Sequence, residues 1–299
     1  MMVSEEGLEK GMFAKIRVFL EMIKFSHTVF ALPFAFTGAV LAADGMPSAH
    51  QVFWILMAMV GARTAAMGMN RLIDAEIDAR NPRTASRAIP AGLIGTGTVA
   101  LFIVLSILLM LYAAWQLNPL CLYLSPVALF FLGLYSYCKR FTSLAHVVLG
   151  ICLAAAPLGA WIAIRGTVEV PAILLGLAVL FWVAGFDILY ALQDLDFDRA
   201  SGLHSIPVRL GVNGSLWAAR VFHLVMLGLL AGLYLSAGLG PWFLAGLAAT
   251  IAMLGYEHWL LRHGDLTKLD AAFFTMNGYI SITLFVATLA DVLAGRGGV

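Results

Sequence analysis

Apolar residues run through this chain in long, nearly unbroken blocks, and polar residues gather in the short gaps between them. A helix that spans a bilayer needs roughly 20 mainly apolar residues. Nine blocks reach that length, at about 25–43, 51–70, 98–115, 119–138, 144–164, 171–192, 215–236, 241–261 and 271–293. The pattern predicts an all-α polytopic membrane protein with nine transmembrane helices. The gaps are short, so neighbouring helices are expected to be antiparallel, and residues 1–299 read as one transmembrane domain. Pro33, Pro126 and Pro157 fall inside predicted spans, where neighbouring helices can satisfy the carbonyls that proline frees. Ahead of the first block, Phe13, Ile16, Phe19, Leu20 and Ile23 recur at helical spacing between charges. Residues 1–24 are therefore expected to form an amphipathic segment on the membrane surface. Its early Glu5, Glu6 and Glu9, with no small-residue cleavage site, do not resemble a secretory signal.

Composition agrees with the periodicity. The chain is 62% hydrophobic and 12% charged, where a soluble domain is nearer half apolar and a quarter charged. A net charge of +1 supplies no field for a nucleic-acid partner. Cys121, Cys138 and Cys152 show no pairing or metal spacing and read as small buried hydrophobes. Lysine and arginine set the orientation. With the N-terminus in the cytoplasm, the inner side carries Lys10, Lys15, Arg17, Lys24, Arg71, Arg80, Arg83, Arg87, Lys139, Arg140, Arg199, Arg209, Arg262 and Lys268. The outer side carries Arg165 and Arg296. The expected placement is a multi-pass protein of the inner (cytoplasmic) membrane, N-terminus inside and C-terminus outside. Loops 71–97, 139–143, 193–214 and 262–270 then face the cytoplasm.

Two of those loops carry the candidate chemistry. In "GMNRLIDAEIDARNPRTASRAIPAG", Arg63, Asn70, Asp74 and Asp78 follow one helical stripe at spacings of seven, four and four, while Glu76 points elsewhere. In "FDILYALQDLDFDRASGLHSIPVRLG", Asp187, Asp194 and Asp198 share a second stripe, with Tyr190 on the same side and Asp196 off it. Like charges one turn apart repel, and an acid at membrane depth is costly. A divalent cation is the simplest compensator. Carboxylates with a neutral amide oxygen suit Mg²⁺, which often shares its shell with substrate phosphates. The stretches echo each other: each ends a cytoplasmic-facing span, holds an Asp-x-x-x-Asp pair and reaches Ile-Pro, at Ile89-Pro90 and Ile206-Pro207. They lie four helices apart, which suggests an internal four-helix repeat. Facing across one cavity, the two clusters could hold two Mg²⁺ and a diphosphate. Arg63, Lys139 and Arg140, with Arg83 and Arg87, supply further positive charge, and arginine offers a fork for phosphate oxygens. A transporter is the competing class, but a proton path would spread acids across the membrane, whereas these cluster at one face.

These motifs resemble the UbiA superfamily of intramembrane aromatic prenyltransferases. That family carries Asn-Asp-x-x-Asp-x-x-x-Asp after its second helix, matched here by Asn70, Asp74 and Asp78. It carries Asp-x-x-x-Asp after its sixth, matched by Asp194 and Asp198. "RTASRAIPAG" and "YSYCKRFT" extend the likeness over nearly the whole chain. The chain departs at Arg71, where the family usually has an acid; that position lies about 100° off the stripe. "MIKFSHTVFALPFAF" and "NRLIDAEIDARNPRTASR" resemble the branch labelled 4-hydroxybenzoate polyprenyltransferase-like.

The resemblance implies nine helices around a central cavity and a membrane enzyme of quinone biosynthesis, ubiquinone or menaquinone. It transfers a polyprenyl group from polyprenyl diphosphate to a small aromatic acid, of 4-hydroxybenzoate or dihydroxynaphthoate type, with Mg²⁺. A haem- or chlorophyll-type prenyltransferase is the nearest alternative. Mg²⁺ would be held by Asn70, Asp74, Asp78, Asp194 and Asp198, and the diphosphate by Arg63, Lys139 and Arg140. Arg83, Arg87, Tyr135 and Tyr190 would contact substrate, and Asp187 or Asp194 would act as base. Phe181 and Phe186 are further candidates for the cavity wall. His27 reads as an ordinary interfacial histidine.

Overall fold

The computed structural model describes residues 16–22, 31–261 and 276–296. Phe13, Ile23, His27, Lys10, Lys15, Lys24, Arg262 and Lys268, named above, lie outside the described residues. Helices account for all regular structure among the described residues. In chain order they are α1 (16–22), α2 (Ala31–Ala43), α3 (Ala49–Ile73), α4 (Ala75–Arg80), α5 (Thr96–Leu117), α6 (Pro119–Cys138) and α7 (Ala145–Arg165). Then come α8 (Val170–Tyr190), a 3₁₀ turn (Ala191–Asp194), α9 (Leu195–Ala200), α10 (Ile206–Ser236), α11 (Pro241–Leu260) and α12 (Asn277–Arg296).

Seven helical stretches among the described residues are long and apolar enough to cross a membrane: α3, α5, α6, α7, α8 with its continuation to Ala200, α10, and α12 to Gly295. α2, described over 13 residues, and α11 are not among them. The boundaries follow local chemistry. Ser48 and Gln51 form a reciprocal capping box at the start of α3. Asn118 caps α6 by accepting from Cys121 N–H at 3.0 Å. α10 starts at Ile206, nine residues before the predicted span at 215 (215 − 206 = 9). Ser205 caps that start and Pro207 opens it; Gly211, at φ 68° and ψ −176°, breaks the helix inside the membrane-proximal turn.

Without water to drive apolar surfaces together, membrane helices associate by close packing, and small residues allow the approach. A β-carbon at Gly150 of α7 would stand 2.5 Å from the Leu180 carbonyl oxygen of α8. One at Gly61 of α3 would stand 2.7 Å from the Ser106 carbonyl oxygen of α5. α8 is held this way between α7 and α10, and it is the most enclosed span. Around it lies the main core, where Phe34, Trp161, Trp182, Phe186, Met226, Leu230 and Phe243 meet. The short α1 joins a second cluster: Phe19 and Met22 bury against Ile94, Val99 and Ile103, with the Phe19 and Phe102 rings 4.5 Å apart. Phe19 and Met22 are thus covered by protein, while Leu20 stays exposed.

Gly150→Val should cost about 1–3 kcal/mol through overpacking, read as a lower unfolding midpoint in detergent. Gly159→Val on the same helix has open space at its β-carbon, so its midpoint should stay near wild type.

A candidate active site where two helix tips meet

The first tip forms where α3 ends. Asp74, at φ −90° and ψ 1°, closes α3 and opens the six-residue α4. Asp78 N–H still reaches the Asp74 carbonyl at 2.8 Å, so the stripe continues through the break. Both carboxylates are buried, at 2% and 4% exposure, and each therefore needs a partner. Lys139 Nζ lies 2.6 Å from Asp74 Oδ2, Arg140 Nη1 3.2 Å from Oδ1, and Asn70 Nδ2 donates to Oδ2 at 3.0 Å. Arg140 also donates to the Ile73 carbonyl at 2.8 Å and the Ser136 carbonyl at 2.7 Å, which pins the end of α6 to the end of α3. Asp78 is held by Arg87, whose Nη1 lies 2.7 Å from both carboxylate oxygens.

The second tip has the same design. Asp194, at φ −102° and ψ 5°, opens the six-residue α9, and Asp198 stands at its fourth position as Asp78 does in α4. Between Asp187 and Asp194 the chain tightens into a 3₁₀ turn. Each residue there advances about 120° instead of 100°. The predicted shared stripe is therefore split. Asp187 turns to His146, with Oδ2 2.7 Å from Nδ1, and Asp194 turns to the first tip. Asp198 lies within reach of Ser205, Asp194, Lys139 and His146.

Loop 81–95 joins the tips. Asn81 Nδ2 donates to Asp194 Oδ1 at 3.0 Å. Arg83 forks onto the same carboxylate, with Nε at 2.8 Å from Oδ1 and Nη2 on Oδ2. Burial works against the Arg83 charge, but the bonds and charge of Asp194 outweigh it and hold its pKa above the ordinary value. Arg83 also stacks 5.7 Å over the Tyr190 ring. Tyr135 lies within electrostatic reach of Asp74 and Asp187.

Other predicted residues sit differently. Arg63 is a half-buried part of α3 whose enclosed Nε has no hydrogen-bond partner among the described residues. It is set apart from the cations that hold the acids. Phe186 packs on Trp182 at 5.0 Å and Phe181 on Phe222 at 5.5 Å. Arg71, expected off the stripe, is buried and drawn back: it donates to Asn70 Oδ1 at 3.3 Å and to the Met22 carbonyl at 3.5 Å. Glu76 and Asp196 are exposed. Asn81, Ser136, His146 and Ser205 belong to the site although the motif pattern did not single them out. The only hint was that His146 ends "YSYCKRFTSLAH".

The donor chemistry suits a hard divalent cation: carboxylates with an amide oxygen. Among the described residues no three acids, histidines or cysteines converge on one point, because Asp74, Asp78 and Asp194 each hold a basic side chain. Acids and bases here are mutual stand-ins. A diphosphate with its cations would let carboxylates turn to metal and free the basic side chains that now hold them for the anionic groups of the substrates.

Comparison with known proteins agrees with this architecture. The chain is 31% identical over 255 residues to the 4-hydroxybenzoate octaprenyltransferase of Aromatoleum aromaticum, covering 85% of this chain and 86% of that one. It superposes on the apo structure of a UbiA homolog from Aeropyrum pernix K1 with a TM-score of 0.81 at 31% identity, covering 89% of this chain and 98% of that one. The fold also matches a UbiA homolog from Archaeoglobus fulgidus bound to DMAPP and Mg²⁺, with a TM-score of 0.64 at 20% identity over 91% and 99% of the two chains. Residues 31–279 match the UbiA prenyltransferase family, and with the acids, their order and their helices in agreement, the chain belongs to that family.

Proposed function

We propose that this protein transfers a polyprenyl group from its diphosphate to a hydroxyaryl acid, 4-hydroxybenzoate before others, for quinone biosynthesis. The observation that carries the reading is the bridge from Asn81 and Arg83 to Asp194. It brings two acid-bearing tips, and the cations beside them, together, as a shared headgroup site would require. The ligands of the Archaeoglobus relative and the name of the Aromatoleum relative support the substrate classes. In this reading residues 1–299 form one domain of nine spans, N-terminus inside and C-terminus outside. The matched tips support a four-helix repeat.

Asn70, Asp74, Asp78, Asp194 and Asp198 are the proposed Mg²⁺ ligands; bound there, the ion supplies Lewis-acid stabilisation of the departing diphosphate. Asn70 has to release Arg71 to take part. Lys139, Arg140 and Arg63 hold phosphate oxygens, and Arg83 and Arg87 face the acceptor carboxylate. Tyr135 and Tyr190 flank the reacting carbons and help keep water away from a developing allylic cation. Asp187 is the base. It takes the phenolic proton, and the ring carbon ortho to oxygen bonds to prenyl C1. The C1–O bond breaks, and its electron pair leaves with diphosphate. The ring carbon's proton then passes to a diphosphate oxygen, and Asp187 returns its own to the phenolic oxygen.

Purified protein incubated with geranyl diphosphate, Mg²⁺ and a panel of aryl acids should form prenylated acid, read by mass. Asp74→Ala and Asp198→Ala should each lower turnover by at least about 10²-fold while the protein still inserts. EDTA should abolish turnover and added Mg²⁺ restore it; full activity in chelator would refute the metal assignment. Arg71→Asp frees the Asn70 oxygen, so turnover should persist and half-saturate at lower Mg²⁺. A dead but folded variant would show that Arg71 itself is required.

A further inference from the structure

His146 is the second residue of α7 and only 4% exposed. Its two ring nitrogens are both engaged. Nε2 accepts from the Ile206 backbone N–H at 3.4 Å. A backbone N–H is always the donor, so the imidazole proton resides on Nδ1. Nδ1 in turn lies 2.7 Å from Asp187 Oδ2 and donates to it. Asp187 Oδ1 has no hydrogen-bond partner among the described residues, and it is not sealed from access. One carboxylate oxygen is thus fixed and the other is left open.

The far side of the imidazole is fixed as well. Ile206 opens α10 directly after Ser205, the residue that caps α10 and lies near Asp198. A single ring therefore links Asp187 of α8 to the junction behind the second tip. An uncoupled aspartate on a membrane helix would sample several rotamers and leave its charge poorly compensated. With His146 in place, one rotamer and one free oxygen remain.

We propose that His146 is the positioning residue of the acceptor subsite, holding Asp187 so that its open oxygen meets the phenolic proton of the aryl acid. This rests on the reading of Asp187 as the base. His146 hydrogen-bonds Asp187 and the Ile206 backbone and reaches Asp198 only electrostatically, so its direct contact is with the acceptor half of the reaction.

The test uses the full chain with geranyl diphosphate, Mg²⁺ and 4-hydroxybenzoate, varying each substrate in turn. His146→Leu removes the donor and should lower kcat by about 10²-fold, the scale of lost general-base assistance, with the KM for geranyl diphosphate unchanged. His146→Gln keeps an N–H donor and should recover most of that loss. 3-Fluoro-4-hydroxybenzoate, a more acidic phenol, depends less on the base, so the deficit of His146→Leu relative to wild type should shrink with it. Where His146→Leu fails to accumulate, His146→Met serves as the donor-free variant. Wild-type kcat in the donor-free variant overturns the proposal. So does a deficit that the fluorinated acceptor leaves unchanged, or one that falls on the KM for geranyl diphosphate. Asp187→Asn separates the two claims: if it retains full turnover, the base assignment itself fails. If it is inactive while His146→Leu is fully active, only the positioning role fails.

Discussion

Everything at this site follows from the cost of burying a carboxylate without a counter-charge. Asp74 and Asp78 are almost fully enclosed at the end of α3, and an unpaired buried charge costs several kcal/mol. The chain meets that cost with cations from two places: the end of α6 and the loop between α4 and α5. Once Lys139 and Arg140 reach back to Asp74, α6 is fixed against α3. Once Arg87 reaches Asp78 and Arg83 reaches Asp194, loop 81–95 is fixed against both tips. The loop has few apolar anchors beyond Ala88 and Ile94, so these charge pairs determine its path.

The helices supply the frame that makes such pairing possible. Close approach at Gly150 and Gly61 sets α8 against α7 and α5 against α3, which fixes how far apart the two tips emerge. The paired residues then span what remains with side-chain lengths. Arginine fits this role because its planar fork grips both carboxylate oxygens at once. A lysine at 83 would hold one oxygen and lose the flat guanidinium contact with the Tyr190 ring.

How much of this was legible in the sequence depends on how local the cause was. Long apolar blocks announce membrane helices, because length and composition are sufficient there. The acid stripes were legible for the same reason, as α-helical spacing is a local property. The 3₁₀ turn at Ala191–Asp194 was not, since four residues of tighter winding leave no periodic trace. The early start of α10 was hidden because Gly211 resembles a loop residue while the helix resumes on both sides of it. Asn81 and His146 were missed because their partners are remote, 113 and 41 residues away along the chain. Arg71 shows a third case. Its direction on the helix was read correctly as off the stripe, yet a long side chain can fold back onto its neighbour Asn70.

The mutual pairing of acids and bases also constrains what can enter. Asp74, Asp78, Asp194 and Asp198 contribute four negative charges, and Lys139, Arg140, Arg87 and Arg83 four positive ones. A bare diphosphate would draw the cations away and leave the carboxylates exposed to one another. A bare divalent ion would do the reverse and strand the arginines. Each half-exchange leaves buried like charges, whose repulsion is large at low effective dielectric. Entry of both together replaces every lost pair with a new one and keeps the site close to neutral. Headgroup and cation binding would therefore be coupled, and by linkage each would strengthen the other equally. Neutrality maintained in this way also explains why so much charge can sit at the edge of a bilayer without unfolding the helices that carry it.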